Sequence, residues 1–366
     1  MEFVLKELID QVMTARAAQR PVYIRGGGTK DFYGEFESLK NATNHSTLDM
    51  SAYHGVVNYQ PSELVVTVRA GTLLSDVERA LDERHQMLAF EPPRFGHAST
   101  IGGCVAAGLS GPRRMAAGSL RDFILGAKLL DSSGSVLDFG GEVMKNVAGY
   151  DVSRLLAGSM GIFGALVEIS IKVAPKPFAE ATRVLDVDEP GALALFDRWR
   201  AQPVPISATA WLGQPDAGGG RLWVRLSGSR PAVDAGARVV GGQALDPDQA
   251  YGFWTGMRDQ THPFFQARPL WRLGLPPHAA AVGLGQTLIE WNGGQRWLAG
   301  APDTEQVRAR AAGLGGHATL FRSQPACAGA PMFHPLGEGL MGISRRLKHA
   351  LDPIGIFNPK RLFSEF

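Results

Sequence analysis

Pro21-Val22-Tyr23-Ile24-Arg25-Gly26-Gly27-Gly28-Thr29-Lys30 runs an apolar strand straight into three glycines, a hydroxyl and a cation. Without Cβ atoms, consecutive glycines can take positive φ and turn successive amide N–H groups toward one anion, which bulkier residues reach only under strain. The segment reads as a phosphate cradle or, taken alone, as a tight turn after a strand. Its surroundings decide between the two.

Composition narrows the classes. A length of 366 residues exceeds one ordinary core and predicts two domains or two with an appendage. Hydrophobic residues at 45% and charged residues at 20% place the chain among folded globular proteins. Glycine supplies 45 residues, about 12%, against a usual share of roughly 7%, which predicts many places where backbone closely approaches something, a large ligand among them. A net charge of +2 without a basic run argues against nucleic acid as partner. Cys104 and Cys327 have no CxxC or Cys/His spacing, so the sequence offers no disulfide framework, no metal site and no iron–sulfur ligand set. The N-terminal stretch carries acidic residues and no cleavage signature, and no run of eighteen apolar residues occurs. A cytoplasmic protein with no transmembrane segment is expected.

Along the chain, Val4, Leu5, Leu8, Ile9, Val12 and Met13 predict a helix over 3–18, stopped by Pro21 before a strand at 22–24. Strands follow at 47–50, 56–59 and 64–70, then a helix from a Ser75/Glu78 capping box to His85. Residues 98–108 are small and read as backbone laid against a flat ligand. Two strands around Ser132-Ser133-Gly134-Ser135 form a hairpin, and a helix over 151–157 leads through Gly158, Gly161 and Gly164 into a strand over 165–173. Pro175 and Pro177 cannot continue a ladder and set a domain boundary near 176. Beyond it an irregular α+β domain over 177–330 is expected, with helices at 192–200, 232–240 and 304–312 and strands at 208–212, 222–226, 287–291 and 295–299. Its core is built by Trp199, Trp211, Trp223, Trp254, Trp271, Trp291 and Trp297. Leu336, Leu340, Ile343, Leu347 and Leu351 mark a C-terminal helix within a closing segment over 331–366.

No GxGxxG follows a strand and no P-loop occurs, so phosphates here are not held in the Rossmann or Walker manner. HExxH and GxSxG are also missing, which leaves hydrolysis little support. What remains is an ordered series: Arg25-Gly26-Gly27-Gly28-Thr29, Ser99-Thr100-Ile101-Gly102-Gly103, Gly118-Ser119-Leu120-Arg121-Asp122, and Asn146-Val147-Ala148-Gly149-Tyr150-Asp151 running on to Gly158-Ser159-Met160-Gly161. Over residues 1–176 this series resembles the FAD-binding domain of the vanillyl-alcohol-oxidase, or p-cresol methylhydroxylase (PCMH), type. Within that superfamily the stretch 26–34, Lys145 to Asp151, the short second domain and the closing Asn358-Pro359-Lys360 are most similar to the FAD-binding E subunits of bacterial glycolate oxidases.

The resemblance implies an α+β fold: a two-subdomain FAD-binding domain, a smaller α+β cap domain, and a C-terminal helix returning to the first domain. It implies FAD held noncovalently, because Thr29 and Lys30 stand where some relatives carry a tethering histidine. Arg25 with the amides of Gly26, Gly27, Gly28 and Thr29 would hold the pyrophosphate. Thr100, Ile101, Gly102 and Gly103 would line pyrophosphate and isoalloxazine, with Gly118, Ser119, Arg121 and Asp122 continuing the flavin wall. Gly161, Gly164 and Leu166 would meet the adenine and ribose end. Tyr150 and Lys145 are flavin-side candidates, and Cys104 reads as a small buried thiol. The histidine-rich metal cluster of active 2-hydroxy-acid members is not evident, and no metal is expected. Arg322 and His334 stand as isolated candidates for a substrate carboxylate and an α-proton, while His262, His278 and His317 read as surface or satisfied residues.

By this likeness the chain oxidises glycolate to glyoxylate as one part of a complex with a larger FAD-containing subunit and an iron–sulfur subunit, the complex associating with the inner membrane surface. Two alternatives stay open: a self-contained FAD-dependent D-lactate or 2-hydroxy-acid dehydrogenase, and a non-catalytic FAD-binding assembly or electron-relay module.

Overall fold

The computed structural model describes residues 1–35, 45–141, 151–214, 219–301 and 303–366. The chain forms two compact units, both discontinuous. The first comprises Met1–Leu109, Ser119–Pro175 and Pro335–Phe366; the second comprises Ser110–Gly118 and Lys176–His334. Relative to the expected boundaries at 176 and 330, the chain crosses over after Pro175 and after His334. Residues 335–366 belong to the first unit, and 110–118 belong to the second.

In the first unit the helix Glu2–Ala17 buries Leu8, Val12 and Ala15 against Val22, Leu48 and Phe357, which is the face its helical apolar spacing dictates. Strands Val22–Arg25 and Ser46–Asp49 pair in parallel, and Phe357 bridges Val22 on the other side. A five-stranded antiparallel sheet follows, ordered Val56–Gln60, Val65–Arg69, Ala165–Lys172, Ile124–Leu130, Val136–Gly140. Its central strands are nearly continuous aliphatic runs because both faces are covered. Helix Leu74–Asp82 forms without the expected capping box: its N-cap is Leu73, and Glu78 turns instead to Arg94. The small-residue stretch is also more than a backbone surface, since Ile101–Ala107 is a helix that buries Ile101, Cys104 and Val105.

The second unit is more regular than its sequence suggests. Eight strands pair antiparallel in the order Gln243–Ala244, Ala179–Asp186, Gly219–Gly228, Ile206–Gln214, Gln286–Glu290, Gln295–Ala299, Leu270–Gly274, His317–Arg322. Helices Glu189–Arg200 and Arg230–Val240 bury Phe196, Trp199 and Val233 in one core with Trp211 and Leu222 of the sheet. Residues 110–118 belong here for local reasons: Trp291 Nε1 donates to Gly111 O at 3.0 Å, Arg113 pairs with Glu180 at 2.5 Å, and the Arg114 guanidinium lies 4.5 Å over the Trp291 ring.

Candidate functional site

The strand Val22–Arg25 buries Val22 and Tyr23, and the chain then turns through the three glycines. Two of them are demanded by local geometry. A Cβ on Gly27 would lie 1.5 Å from the Ala98 carbonyl oxygen, and Gly28 has φ +67°. Among the described residues, no protein acceptor takes the N–H groups of Gly26, Gly27, Gly28 or Thr29. Four successive amides thus remain available on the wall of a cleft, which is how a backbone holds a phosphate oxyanion.

That cleft, about 770 Å³ including its open mouth, is lined wholly by the first unit. Arg25, Gly26, Gly27, Gly28, Thr29, Thr100, Gly102, Gly103, Gly161, Gly164 and Leu166 meet on its walls. Five expected residues do not line it. Ile101 is wholly buried, Ser119 and Asp122 cap a short 3₁₀ turn with Ser119 Oγ donating to Asp122 at 2.6 Å, Arg121 is exposed, and Gly118 falls in the second unit. Lys145 and the motif 146–150 lie outside the described residues.

Several wall residues had no assigned role in the expected site: Tyr23, Lys30 and Met160, which stand inside the quoted motifs, and Asp31, Met50 and Arg361. Asn358, noted only as part of a closing motif, also lines the cleft. The Lys30 ammonium donates to Ser99 Oγ at 2.8 Å and stands 5.7 Å from the Phe95 ring centre. Tyr23 donates its hydroxyl to Asp31 at 2.7 Å, and burial, then Asp31, pushes its phenol pKa up, so it stays neutral. Burial pushes the Arg361 guanidinium down, but Tyr23, Asp31 and Glu35 oppose this; its Nη2 donates to Lys30 O at 3.2 Å. Cys104 is buried and its thiol is pushed up to about 12 by desolvation, so it is inert.

The return segment closes one wall. Val22 N–H donates to Ile356 O at 2.7 Å and Asn358 N–H donates to Val22 O at 3.0 Å, adding a short parallel strand. The Asn358 side chain then accepts from Ile24 N–H at 2.9 Å and donates to Met160 O at 2.7 Å. Asn358→Ala removes both bonds at a position with φ +38°, and should cost about 1–3 kcal/mol of unfolding free energy. A urea denaturation midpoint equal to that of the unchanged protein would contradict this.

Behind this segment Asp352, 1% exposed, accepts from the N–H groups of Gly355, Ile356 and Phe357. Lys348 Nζ donates to Asp352 Oδ2 at 2.6 Å and to the carbonyls of Ile162 and Phe357.

Arg322 and His334 are both in the second unit, and the structure does not join them. Arg322 Nη2 donates to Gln260 at 2.9 Å, with its pKa pushed down to about 10 by burial and by Arg268. His334 Nδ1 accepts from Ala318 N–H at 3.4 Å, four residues upstream on the strand and roughly 13 Å of extended chain from Arg322. His317 lies 6.3 Å from His334, ring to ring. Burial lowers the pKa of both, reinforced by Arg272, His334 and Arg114 at His317 and by Arg308 at His334; burial alone lowers that of His262. The unfolded chain therefore binds more protons between these depressed values and 6.5. Stability should be flat above pH 6.5 and fall as the pH drops below it. A melting series from pH 8 to 5 checks the slope, which His317→Gln should reduce.

Among the described residues the cleft has no histidine, cysteine or cluster of metal ligands on its walls. Its chemistry is that of holding an anionic, flat-ringed molecule: backbone amides of the glycine loop with Arg25, Lys30 and Arg361 on its walls, and Ile24, Met50, Ala70, Ala106, Ala107 and Leu166 for apolar contact. No helix of the described residues is long and apolar enough to cross a membrane.

Comparison with known proteins agrees with this geometry. Residues 5–140 match the family model described as FAD binding domain. The chain is 41% identical to the glycolate oxidase subunit GlcE of Escherichia coli over 98% of its own length and 97% of that protein's. It is also 29% identical to glycolate oxidase subunit GlcD of Bacillus subtilis, covering 48% of this chain and 36% of that one. Among solved structures, an alkyldihydroxyacetonephosphate synthase superposes with a TM-score of 0.69 over 98% of this chain and 76% of its own, at 15% identity, a likeness of fold. The residues on the cleft walls fit FAD: the amides of the glycine loop, with Arg25 and Lys30 beside them, suit a pyrophosphate, and small and aliphatic side chains suit a ring system.

Proposed function

The chain belongs to the glycolate oxidase GlcE subunit family, flavoproteins of the PCMH-type FAD-binding fold, and from that premise we propose that it is the FAD-binding subunit of a multi-subunit enzyme oxidising glycolate to glyoxylate. FAD is its cofactor, and when bound it supplies the two-electron acceptor for such an oxidation. The amides of Gly26, Gly27, Gly28 and Thr29, with Arg25 and Lys30 beside them, hold the pyrophosphate without a covalent tether. Thr100, Gly102, Gly103, Gly161, Gly164 and Leu166 flank the rest of the dinucleotide.

The observation that carries this reading is the set of four consecutive amides, without an acceptor among the described residues, on the wall of a cleft in the FAD-binding unit. Partner chains supply what this one lacks. Its two cysteines, both buried, leave iron–sulfur chemistry to another subunit, and a larger flavoprotein subunit carries the main substrate site. The complex works at the cytoplasmic side of the cell.

Purified chain reconstituted with FAD should show the flavin absorbance bands, and a colourless product would overturn the cofactor assignment. Anaerobic glycolate should bleach the flavin only after the larger flavoprotein and iron–sulfur subunits are added. Steady turnover of glycolate or D-lactate by the isolated chain with a dye acceptor would favour a self-contained dehydrogenase.

A further inference from the structure

Gly274 ends a strand of the second unit, and polar side chains gather over its bare backbone. Its antiparallel neighbours are His317 on one side and Gln295 on the other, and Arg272, two residues earlier, shares their face of the sheet. A Cβ on Gly274 would lie 2.7 Å from His317 Cε1 and 2.9 Å from its Nε2, so the imidazole takes the space that a side chain there would fill. From the opposite side Arg272 Nε donates to Gln295 Oε1 at 2.7 Å, which draws the guanidinium toward the same glycine. The two Nη groups of Arg272 make no hydrogen bond or ion pair among the described residues. Around this pair stand His334, its ring 6.3 Å from that of His317, and Arg114, which shares the Trp291 ring with Arg272 at 4.5 Å and 5.5 Å. Solvent reaches Arg272, Gly274 and His317.

We propose that this cluster is a binding site for a small oxyanion, held between the Arg272 guanidinium and the His317 imidazole over the backbone of Gly274. All its residues belong to the second unit, whereas the flavin cleft is lined by the first, so the inference stands without the flavin reading. The surrounding charge selects an anion. The charged groups that act on His317 are Arg272, His334 and Arg114, and each holds its pKa down, as Arg308 does at His334. The carboxylate linked to the cluster, Glu290, is buried and already accepts from Gln295 Nε2 and Trp297 Nε1. Cations gathered in this way make a positive potential that concentrates anions. A guanidinium tied at Nε and laid over an indole has lost much of its freedom, and its Nη edge is a prepared fork for two oxygens of one ligand. The imidazole adds a further donor. A metal is a poorer occupant, since among the described residues no third histidine, cysteine or carboxylate joins the two histidines as a ligand set. The carboxylate of a hydroxy acid and free phosphate present the same oxygens to such a fork, and experiment separates them.

The test titrates the full FAD-loaded chain with sodium glycolate in one arm and inorganic phosphate in the other, following the imidazole resonances of His317 by NMR. Those resonances are the ones that His317→Gln removes. A saturable shift is expected in at least one arm, and the tighter arm names the source of the oxyanion. The bound anion should also raise the pKa of His317, opposing its cationic neighbours. Arg272→Gln removes the charge and the fork and should weaken binding about tenfold or more. Arg272→Lys keeps the charge without the fork and should lose less. Arg221→Gln, at an exposed arginine of the same unit paired with Asp186, should bind as the unchanged chain does. A cooperative thermal transition in each variant separates loss of the site from loss of the fold, and if Arg272→Gln does not fold, Arg272→Lys carries the comparison. No saturable shift in either arm overturns the proposal. So does unchanged affinity in the folded Arg272 variants, or a His317 pKa that the saturating anion leaves where it was.

Discussion

Gly27→Ala should yield a colourless protein that takes up no FAD. The position has no positive φ to protect, so the objection to a side chain is purely steric: the new Cβ would lie 1.5 Å from the Ala98 carbonyl oxygen and 2.4 Å from its carbon. Both are main-chain atoms and cannot rotate away. One of the two loops must shift by more than an ångström, and with it the register of the four free amides. Overpacking of a rigid site costs about 1–3 kcal/mol and more when backbone must move, so a loss of at least about 3 kcal/mol is expected. Gly252→Ala is the matched control. It sits in the helix Pro247–Arg258 with nothing within 4 Å of a new Cβ, and should raise stability by about 0.5–1 kcal/mol through helix propensity. If Gly27→Ala retained flavin at the unchanged affinity, the close approach of the two loops would be wrong.

Asp352→Ala should be the most destabilising change in the C-terminal segment. It strands the Lys348 ammonium in a buried site with only the carbonyls of Ile162 and Phe357, and burial already pushes that lysine's pKa down against the raising effect of Asp352. An uncompensated buried charge of this kind costs about 3–5 kcal/mol. Three backbone N–H groups lose their acceptor as well, at about 1–3 kcal/mol for each that stays dry. Lys348→Met should cost less, because the carboxylate keeps those three donors. In Lys348→Met combined with Asp352→Ala the charge penalty disappears but the orphaned amides remain, so the double variant should be more stable than Asp352→Ala alone. Urea titrations of the three proteins give that ordering, and Asp352→Ala no worse than Lys348→Met would refute the account.

Much of the first unit was legible from local pattern: the opening helix, the glycine turn, the hairpin and the strand over 165–173 each advertise their period or their turn residues. The resemblance carried the site further than periodicity could. Ile101–Ala107 escaped as a helix because Gly102 and Gly103 argue against one, whereas Thr100 caps it by accepting from Gly103 N–H at 3.2 Å, and its packing overrides propensity. The eight-stranded sheet was only half visible, since Ala179–Asp186 and Leu270–Gly274 interrupt their apolar runs with Glu180, Arg183 and Arg272, whose partners lie on distant segments. Asn358 and Arg361 reach the cleft through contacts some 330 residues apart in the chain, and no window on the sequence contains both sides of such a contact.

That separation also orders events at the ribosome. Ile24 and Asn358 are 334 residues apart, and at synthesis rates of about 5–20 residues per second the strand partner of Val22 emerges roughly 17–67 s after Val22 itself. During this interval the glycine loop exists with one wall of its cleft missing. The cleft is therefore completed only late in synthesis. A chain that stops in the second unit after Lys176 carries the glycine loop but lacks Asn358 and Arg361 from the cleft wall.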